Sequence, residues 1–189
     1  MLAAQTQAPA VILDNRQIAK ATKLLAKSIL ARHNPPLDLA LIGVHGGGDL
    51  LVRKLERALS DQFGRQLSLD RGMVDISFYR DDFSRLSQFP SLQGTHIPFD
   101  VQGRHNLLVD DVIFTGRTVR AALDAIFSLG RPARVELAAL VDRGHREFPI
   151  RPDYVGMVLD TLRHQSINVV LSPDGEGDLA TLEDHKYQE

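Results

Sequence analysis

No cysteine occurs among the 189 residues, which excludes disulfides, thiolate zinc sites and cysteine nucleophiles. Charge of one sign is also missing: 22 Lys and Arg against 24 Asp and Glu leave a formal net charge of −2. Any nucleic-acid surface must then be a local patch, because there is no global basic field. No apolar run approaches the length of a membrane span, and the opening MLAAQTQAPA has neither the charged start nor the apolar centre of a signal peptide. The expected setting is the cytoplasm, with no membrane partner. Internal repeats and low-complexity segments are absent as well. What is present, 43% hydrophobic and 24% charged residues, is the composition of a soluble globular protein long enough to bury a sizeable core. Residues Met1 to Ala10 read as a loose tail, and residues 11–189 as one domain.

The most informative stretch is NLLVDDVIFTGRT, Asn106 to Thr118. Leu107, Leu108 and Val109 form the continuous apolar run of a central parallel strand, and Asp110 and Asp111 sit at its carboxyl end. From Val119 the apolar residues fall at Val119, Ala122, Leu123, Ile126 and Phe127, one face of a helix that Gly130-Arg131-Pro132 stops. Between strand and helix lies Thr115-Gly116-Arg117-Thr118. Such a loop offers free amides and the positive end of the helix dipole to a phosphate, with two threonine hydroxyls and an arginine beside them. Ionised carboxylates accept only, which suits the paired hydroxyls of a ribose. Phosphate on the loop and diol on the acids describe a ribose 5-phosphate. An Asp pair ending a strand also serves receiver domains and metal-binding α/β proteins. A receiver domain would need a Lys after the later strand Val135 to Val141, which ends in Asp142-Arg143 instead.

Elsewhere the pattern is strand and helix in alternation. Asp14 or Asn15 caps a helix with a stripe of Ile18, Ala21, Leu25 and Ile29, ended by Asn34-Pro35-Pro36. Leu39 to Val44 is a strand, followed by His45-Gly46-Gly47-Gly48 and a helix from Leu50 to Gln62. That glycine run is either a second anion cradle or a plain tight turn. Val74, Ile76 and Phe78 alternate like a strand. Arg80 to Gly94 is polar and long for a connection, and reads either as a lid or as a solvated hairpin returning through His96 to Val101. Arg151 to Gly156 is a turn entering a short strand, Ile167 to Leu171 a last strand, and the acidic end a tail.

The Asn106–Thr118 stretch resembles the phosphoribosyl pyrophosphate motif of the type I phosphoribosyltransferases. SFYRDDFS, IPFDV, GRP and LVDRGHREFPIRPDYVG extend the likeness toward the pyrimidine operon attenuation regulators with uracil phosphoribosyltransferase activity, closely from Val74 to Gly156 and weakly at both ends. The resemblance implies an α/β, type I phosphoribosyltransferase fold: a mainly parallel twisted sheet flanked by helices, with a flexible hairpin lid and a small hood. It implies an enzyme that transfers phosphoribosyl from phosphoribosyl pyrophosphate to uracil with Mg2+, yielding UMP and pyrophosphate. It further implies a homodimer or larger homo-oligomer responsive to UMP and UTP.

On this resemblance Thr115, Gly116, Arg117 and Thr118 hold the 5-phosphate, and Asp110 and Asp111 orient the ribose and assist the metal indirectly. Arg80 neutralises pyrophosphate from the lid, His45, Gly46, Gly47 and Gly48 form the pyrophosphate loop, and Arg143, Tyr154 and Val155 surround the base. Two departures stand out. His45-Gly46 replaces the basic residue and threonine usual in that loop, and the Gly-Lys-Asn-Ile-Pro-Thr type segment after Gly156 is replaced by Met157-Val158-Leu159-Asp160-Thr161. Phe114, three residues after Asp111, stands where purine-specific relatives carry an acid, which argues for a pyrimidine. The rival function is a non-catalytic regulator that senses uridine nucleotides and binds the messenger leader of a pyrimidine operon, through Arg143, His145, Arg146 and Arg151.

Overall fold

The computed structural model describes residues 9–36, 38–76 and 94–185. Its elements run β1 (Ala10–Leu13), α1 (Asn15–Arg32), β2 (Leu39–Val44), α2 (Gly48–Phe63), β3 (Asp70–Val74), β4 (His105–Ile113), α3 (Arg117–Leu129), β5 (Arg134–Asp142), β6 (Tyr154–Val158), β7 (Gln165–Val170) and β8 (Leu179–Asp184). A five-stranded sheet has the order β3-β2-β4-β5-β6, and every pair in it is parallel. Among the described residues, no helix is long and apolar enough to cross a membrane.

The acid-bearing strand β4 is central because its side chains are apolar on both faces. Leu107 and Val109 enter the core beneath α1 and α2, whereas Leu108 joins Val119, Ala122 and Ile126 of α3 on the other side. All three strand residues are fully buried, and each contributes about 1.5–3 kcal/mol by leaving water. The α1 start is a reciprocal cap: Gln17 N donates to Asp14 Oδ1 at 2.8 Å, and Asp14 N donates to Gln17 Oε1 at 2.9 Å. Its buried stripe of Ile18, Ala21, Leu25 and Ile29 matches the expected one. On α3, by contrast, Phe127 is 54% exposed, so Ile126 ends the buried stripe and the expected fifth position faces outward.

Four expectations are corrected. Of the strand anticipated from Val74 onward, only Val74 is in a strand among the described residues, at the end of β3 (Asp70–Val74), whose partner β2 ends at Val44 with a last ladder bond from His45 N to Val74 O; Ile76 is in none, and Phe78 lies outside the described residues. His96 to Val101 is not a strand; only a bridge between Met73 and His96 forms. The expected tail at the acidic end contains β8, which pairs antiparallel with both β1 and β7. Ala10, assigned to the N-terminal tail, begins β1. Together β1, β8 and β7 form the small second sheet of the hood. It is tied to α2 by Lys54 Nζ and Asp178 Oδ2, 2.8 Å apart. The expected lid, with Tyr79, Arg80, Asp81 and Asp82, lies outside the described residues.

Candidate active site

The turn from β4 to α3 is shaped by Gly116, the N-cap of α3, at φ 93°. A side chain there would be strained by that backbone conformation. Gly116 offers no side chain to the first turn of α3, and Thr115 Oγ1 accepts from Arg117 N at 3.3 Å; the amides of that turn lie at the sheet's carboxyl end, where a helix start favours an anion. Thr115 is buried, and its carbonyl accepts from the amides of Glu147 at 2.9 Å and Phe148 at 3.2 Å. The loop after β5 therefore braces the Thr115–Thr118 turn. Arg117 does not stand alone beside it. Its Nε and Nη2 donate to Glu147 Oε2 at 2.9 and 2.6 Å, and Glu147 also pairs with Arg163. Hydrogen bonding from Arg117 is the largest influence on the Glu147 carboxyl, and with a further bond from Arg163 it outweighs burial and holds the group below the usual carboxylate range.

The two acids occupy different settings. β4 continues to Ile113 because its ladder with β5 runs on to the pair Ile113 and Asp142, so Asp110 lies within the strand and is only 4% exposed. Its Oδ1 accepts from Asp111 N at 3.0 Å. Asp111 is half-buried and lies against the loop after β2. A Cβ on Gly47 would overlap the Asp111 carboxylate, so that glycine is what permits the acid and the loop to meet. The ladder between β2 and β4 ends at Gly43 and Val109. Beyond it, the acids' own carboxylates take up the amides of Asp111 and Val112. His45, in place of a cation, turns its Nδ1 to Met73 Sδ at 3.3 Å.

Beside the Thr115–Thr118 turn lies a second constellation. The Arg143 guanidinium is buried and lies over the Phe114 ring, 4.0 Å from its centroid. Arg143 Nε donates to Thr161 Oγ1 at 3.1 Å and Nη2 to the Leu162 carbonyl at 2.9 Å. Burial alone pushes the Arg143 guanidinium below its usual value. His145, at φ 60°, places Nε2 2.7 Å from the Thr161 carbonyl; a carbonyl only accepts, so this nitrogen carries the proton. Arg146 is an internal brace, donating to the carbonyls of Phe114, Gly144 and Ile150 and pairing with Asp142 at 2.7 Å. Of the basic cluster read from the sequence, Arg143 and Arg146 are thus taken up by the protein itself, and Arg151 is exposed.

Tyr154 is not at this site. It starts β6 opposite Ala138, four residues before the strand's carboxyl end and so about 13 Å below it. Its hydroxyl donates to Glu136 Oε2 at 2.9 Å and lies 3.1 Å from His33 Nε2, and burial followed by the Glu136 hydrogen bond pushes the phenol up to about 12. Val155 pairs with Ala139 inside the sheet. The residues that stand where the base was expected are Phe114, Thr161 and Leu162. Only Phe114 was flagged by sequence, and the other two lie past Gly156, where the likeness fades.

A parallel sheet whose acid-bearing strand leads through a Thr-Gly turn into a glycine-capped helix, beside a small antiparallel hood, defines a phosphoribosyltransferase. The Phosphoribosyl transferase domain model matches residues 10–175. The solved hypoxanthine phosphoribosyltransferase of Trypanosoma cruzi superimposes with a TM-score of 0.63 at 22% identity, over 93% of this chain and 97% of that one. A hypoxanthine-guanine phosphoribosyltransferase from Bacillus anthracis gives 0.62 at 18% identity, over 82% and 84%. Sequence relatives are nearer. Bifunctional protein PyrR of Deinococcus radiodurans is 46% identical over 95% of this chain and 97% of its own length, and that of Halalkalibacterium halodurans 45% identical over 92% and 96%. The chain belongs to the Bifunctional protein PyrR family.

Proposed function

We propose that the protein joins uracil N1 to C1 of the ribose of phosphoribosyl pyrophosphate, with pyrophosphate leaving and the N1 proton passing to solvent. The observation that carries this reading is the Gly116-capped start of α3 set beside Asp110 and Asp111. In the transition state positive charge builds on the ribose carbon and negative charge on the leaving group, so the protein contributes chiefly position and electrostatics. The α3 amides with Thr115 and Thr118 hold the 5-phosphate. Asp111, and Asp110 behind it, set the ribose hydroxyls. The His45–Gly48 loop takes the pyrophosphate on backbone amides, and Phe114, backed by Arg143, supplies an apolar wall against which a single-ring base lies flat.

Magnesium fits this donor set. The Asp111 carboxylate faces the glycine loop, and among the described residues there is no group of three His, Asp or Glu able to cage a metal. An ion held mostly by water and substrate oxygens, with one or two carboxylates nearby, matches magnesium's habit. When bound, it offsets the charge of the pyrophosphate.

The test is an assay with uracil, phosphoribosyl pyrophosphate and magnesium, in which UMP and pyrophosphate should appear in equal amounts. UMP binding without turnover would sink the catalytic reading and leave a second one: a uridine-nucleotide sensor controlling a pyrimidine operon by attenuation. His45, turned to Met73 where the class usually carries a cation, favours that second reading. Binding to a leader RNA, weakening steeply as salt rises, would support the regulatory role in either case.

A further inference from the structure

α1 and α2 lie on the face of the large sheet opposite α3, and the clusters they bury are distinct. Where the two helices diverge toward the hood they enclose a cavity of about 620 Å³, the volume of a site for one small ligand. None of the phosphate-loop residues, the two acids or Arg143 lines it. Its floor is apolar: Ile18 and Ala19 from α1, Leu50 and Ala58 from α2, and Pro173 from the hood loop. Around that floor stand Arg16 and Lys23 of α1 and Arg53 and Arg57 of α2.

These four cations differ from most others in the protein. Arg32, Arg71, Arg104, Arg117, Arg134 and Arg146 are each paired with a carboxylate. Among the described residues, Arg16, Lys23, Arg53 and Arg57 form no ion pair, although four acids line the same cavity. Two of those acids are engaged elsewhere. Asp178 is buried against Lys54, and its Oδ1 accepts from Ser172 N at 2.8 Å. Asp174 Oδ1 accepts from Ser172 Oγ at 2.9 Å and Glu176 N at 3.0 Å. The hood loop folds these acceptors into its own turn, leaving the helix cations to face the cavity.

We propose that this cleft binds a nucleoside polyphosphate at a site separate from the phosphoribosyl pocket. Guanidinium groups one helical turn apart on α2, opposed by a lysine and an arginine on α1, match a chain of two or three phosphates. The apolar floor matches the flat body of a base. Walls on three sides, from both helices and the Pro173–Glu176 loop, fit one nucleotide in preference to a continuous strand. The Lys54–Asp178 pair joins α2 to the hood at this wall, and α2 begins at the glycine loop of the first site. An occupant is therefore placed to bias that loop.

The test uses the full chain and ATP, with GTP in a second arm, in equilibrium dialysis against saturating UMP. One triphosphate per chain should bind in addition to UMP, and 8-azido-ATP should label a peptide from residues 15–23 or 50–61. Arg53→Glu with Arg57→Glu should weaken triphosphate binding by roughly tenfold or more, the worth of a charge-assisted hydrogen bond, and leave UMP binding unchanged. The milder pair Arg53→Gln and Arg57→Gln guards against misfolding. No triphosphate bound beyond UMP, label confined to residues 107–118, or indifference to both variant pairs would overturn the site. So would competitive displacement of ATP by a leader RNA whose own affinity falls in the same variants, which would assign the cleft to a nucleic-acid strand. Neither dialysis nor labelling requires turnover, so the outcome is independent of whether uracil is a substrate.

Discussion

Arg143 lies over the Phe114 ring, its guanidinium carbon 4.0 Å from the centroid, with Nε and Nη2 anchored on Thr161 and Leu162. A buried cation flattened on an aromatic ring is worth about 2 kcal/mol when desolvated. Phe114→Ala should therefore raise the uracil KM by roughly tenfold, with little change in the KM for phosphoribosyl pyrophosphate. Initial-rate kinetics with each substrate varied in turn would show the split; equal effects on both would place Phe114 outside the base wall.

Gly47→Ala forces a methyl group into the Asp111 carboxylate. Overpacking of this kind costs about 1–3 kcal/mol, and here it must be relieved by moving the acid, the loop or both. The expected outcome is a fall in kcat/KM for phosphoribosyl pyrophosphate of roughly tenfold or more with an unchanged circular dichroism spectrum. Full activity in this variant would mean that the contact is incidental.

The pairing of Arg117 with Glu147 withholds a guanidinium from the phosphate loop. In Glu147→Gln the anchor loses its charge, and UMP should bind tighter by up to roughly fivefold, the scale of one exposed ion pair. Thr118→Ala should act oppositely, weakening UMP by roughly tenfold through a lost hydrogen bond to a charged group. Titration calorimetry on both variants checks the opposed signs. For the wild type, the Glu147 carboxyl is held low, so the latch persists through neutral pH and opens only as pH falls through that lowered value.

Tyr154→Phe probes the corrected placement of this residue. Its hydroxyl serves the buried Glu136 carboxylate, and losing it should cost about 1–3 kcal/mol in denaturant unfolding while the uracil KM stays the same. Burial pushes the Glu136 carboxyl up, but hydrogen bonds from His33 and Tyr154 and the nearby Arg134 bring it net below its usual value. A group with a lowered folded pKa stabilises above its unfolded value and ceases to do so as pH falls through the folded one. The variant should therefore begin acid unfolding at higher pH than wild type. A changed uracil KM with unchanged stability would return Tyr154 to the base.

Which residues were legible in the sequence follows from how far each signal travels along the chain. Asp111, Thr115, Gly116 and Thr118 fall within eight residues, and local periodicity alone places a strand before them and a helix after. Tyr154 was misplaced because sequence shows that β6 exists but not its register against β5, and a distance of four residues along the strand separates rim from interior. Thr161 and Leu162 carried no signal of their own. They matter only because Arg143, 18 residues earlier, folds back to meet Thr161. The strand β8 was hidden by its charged end, since Leu179, Thr181, Glu183 and Asp184 read as solvated while Ala180 is fully buried.

In the hood, β8 is the middle strand, with β1 on one side and β7 on the other. On a ribosome that order has a temporal meaning: β1 emerges before β8 and can find its mate only after the chain through Leu179–Asp184 has been made. Its ladder closes over a sequence separation as great as Ala10 to Leu182, and contacts of that span form late because the intervening loop must be closed first. The nascent parallel sheet is therefore assembled before its cover, and a chain cut short ahead of Leu179 would carry the phosphate loop complete while the hood above it remained unfinished.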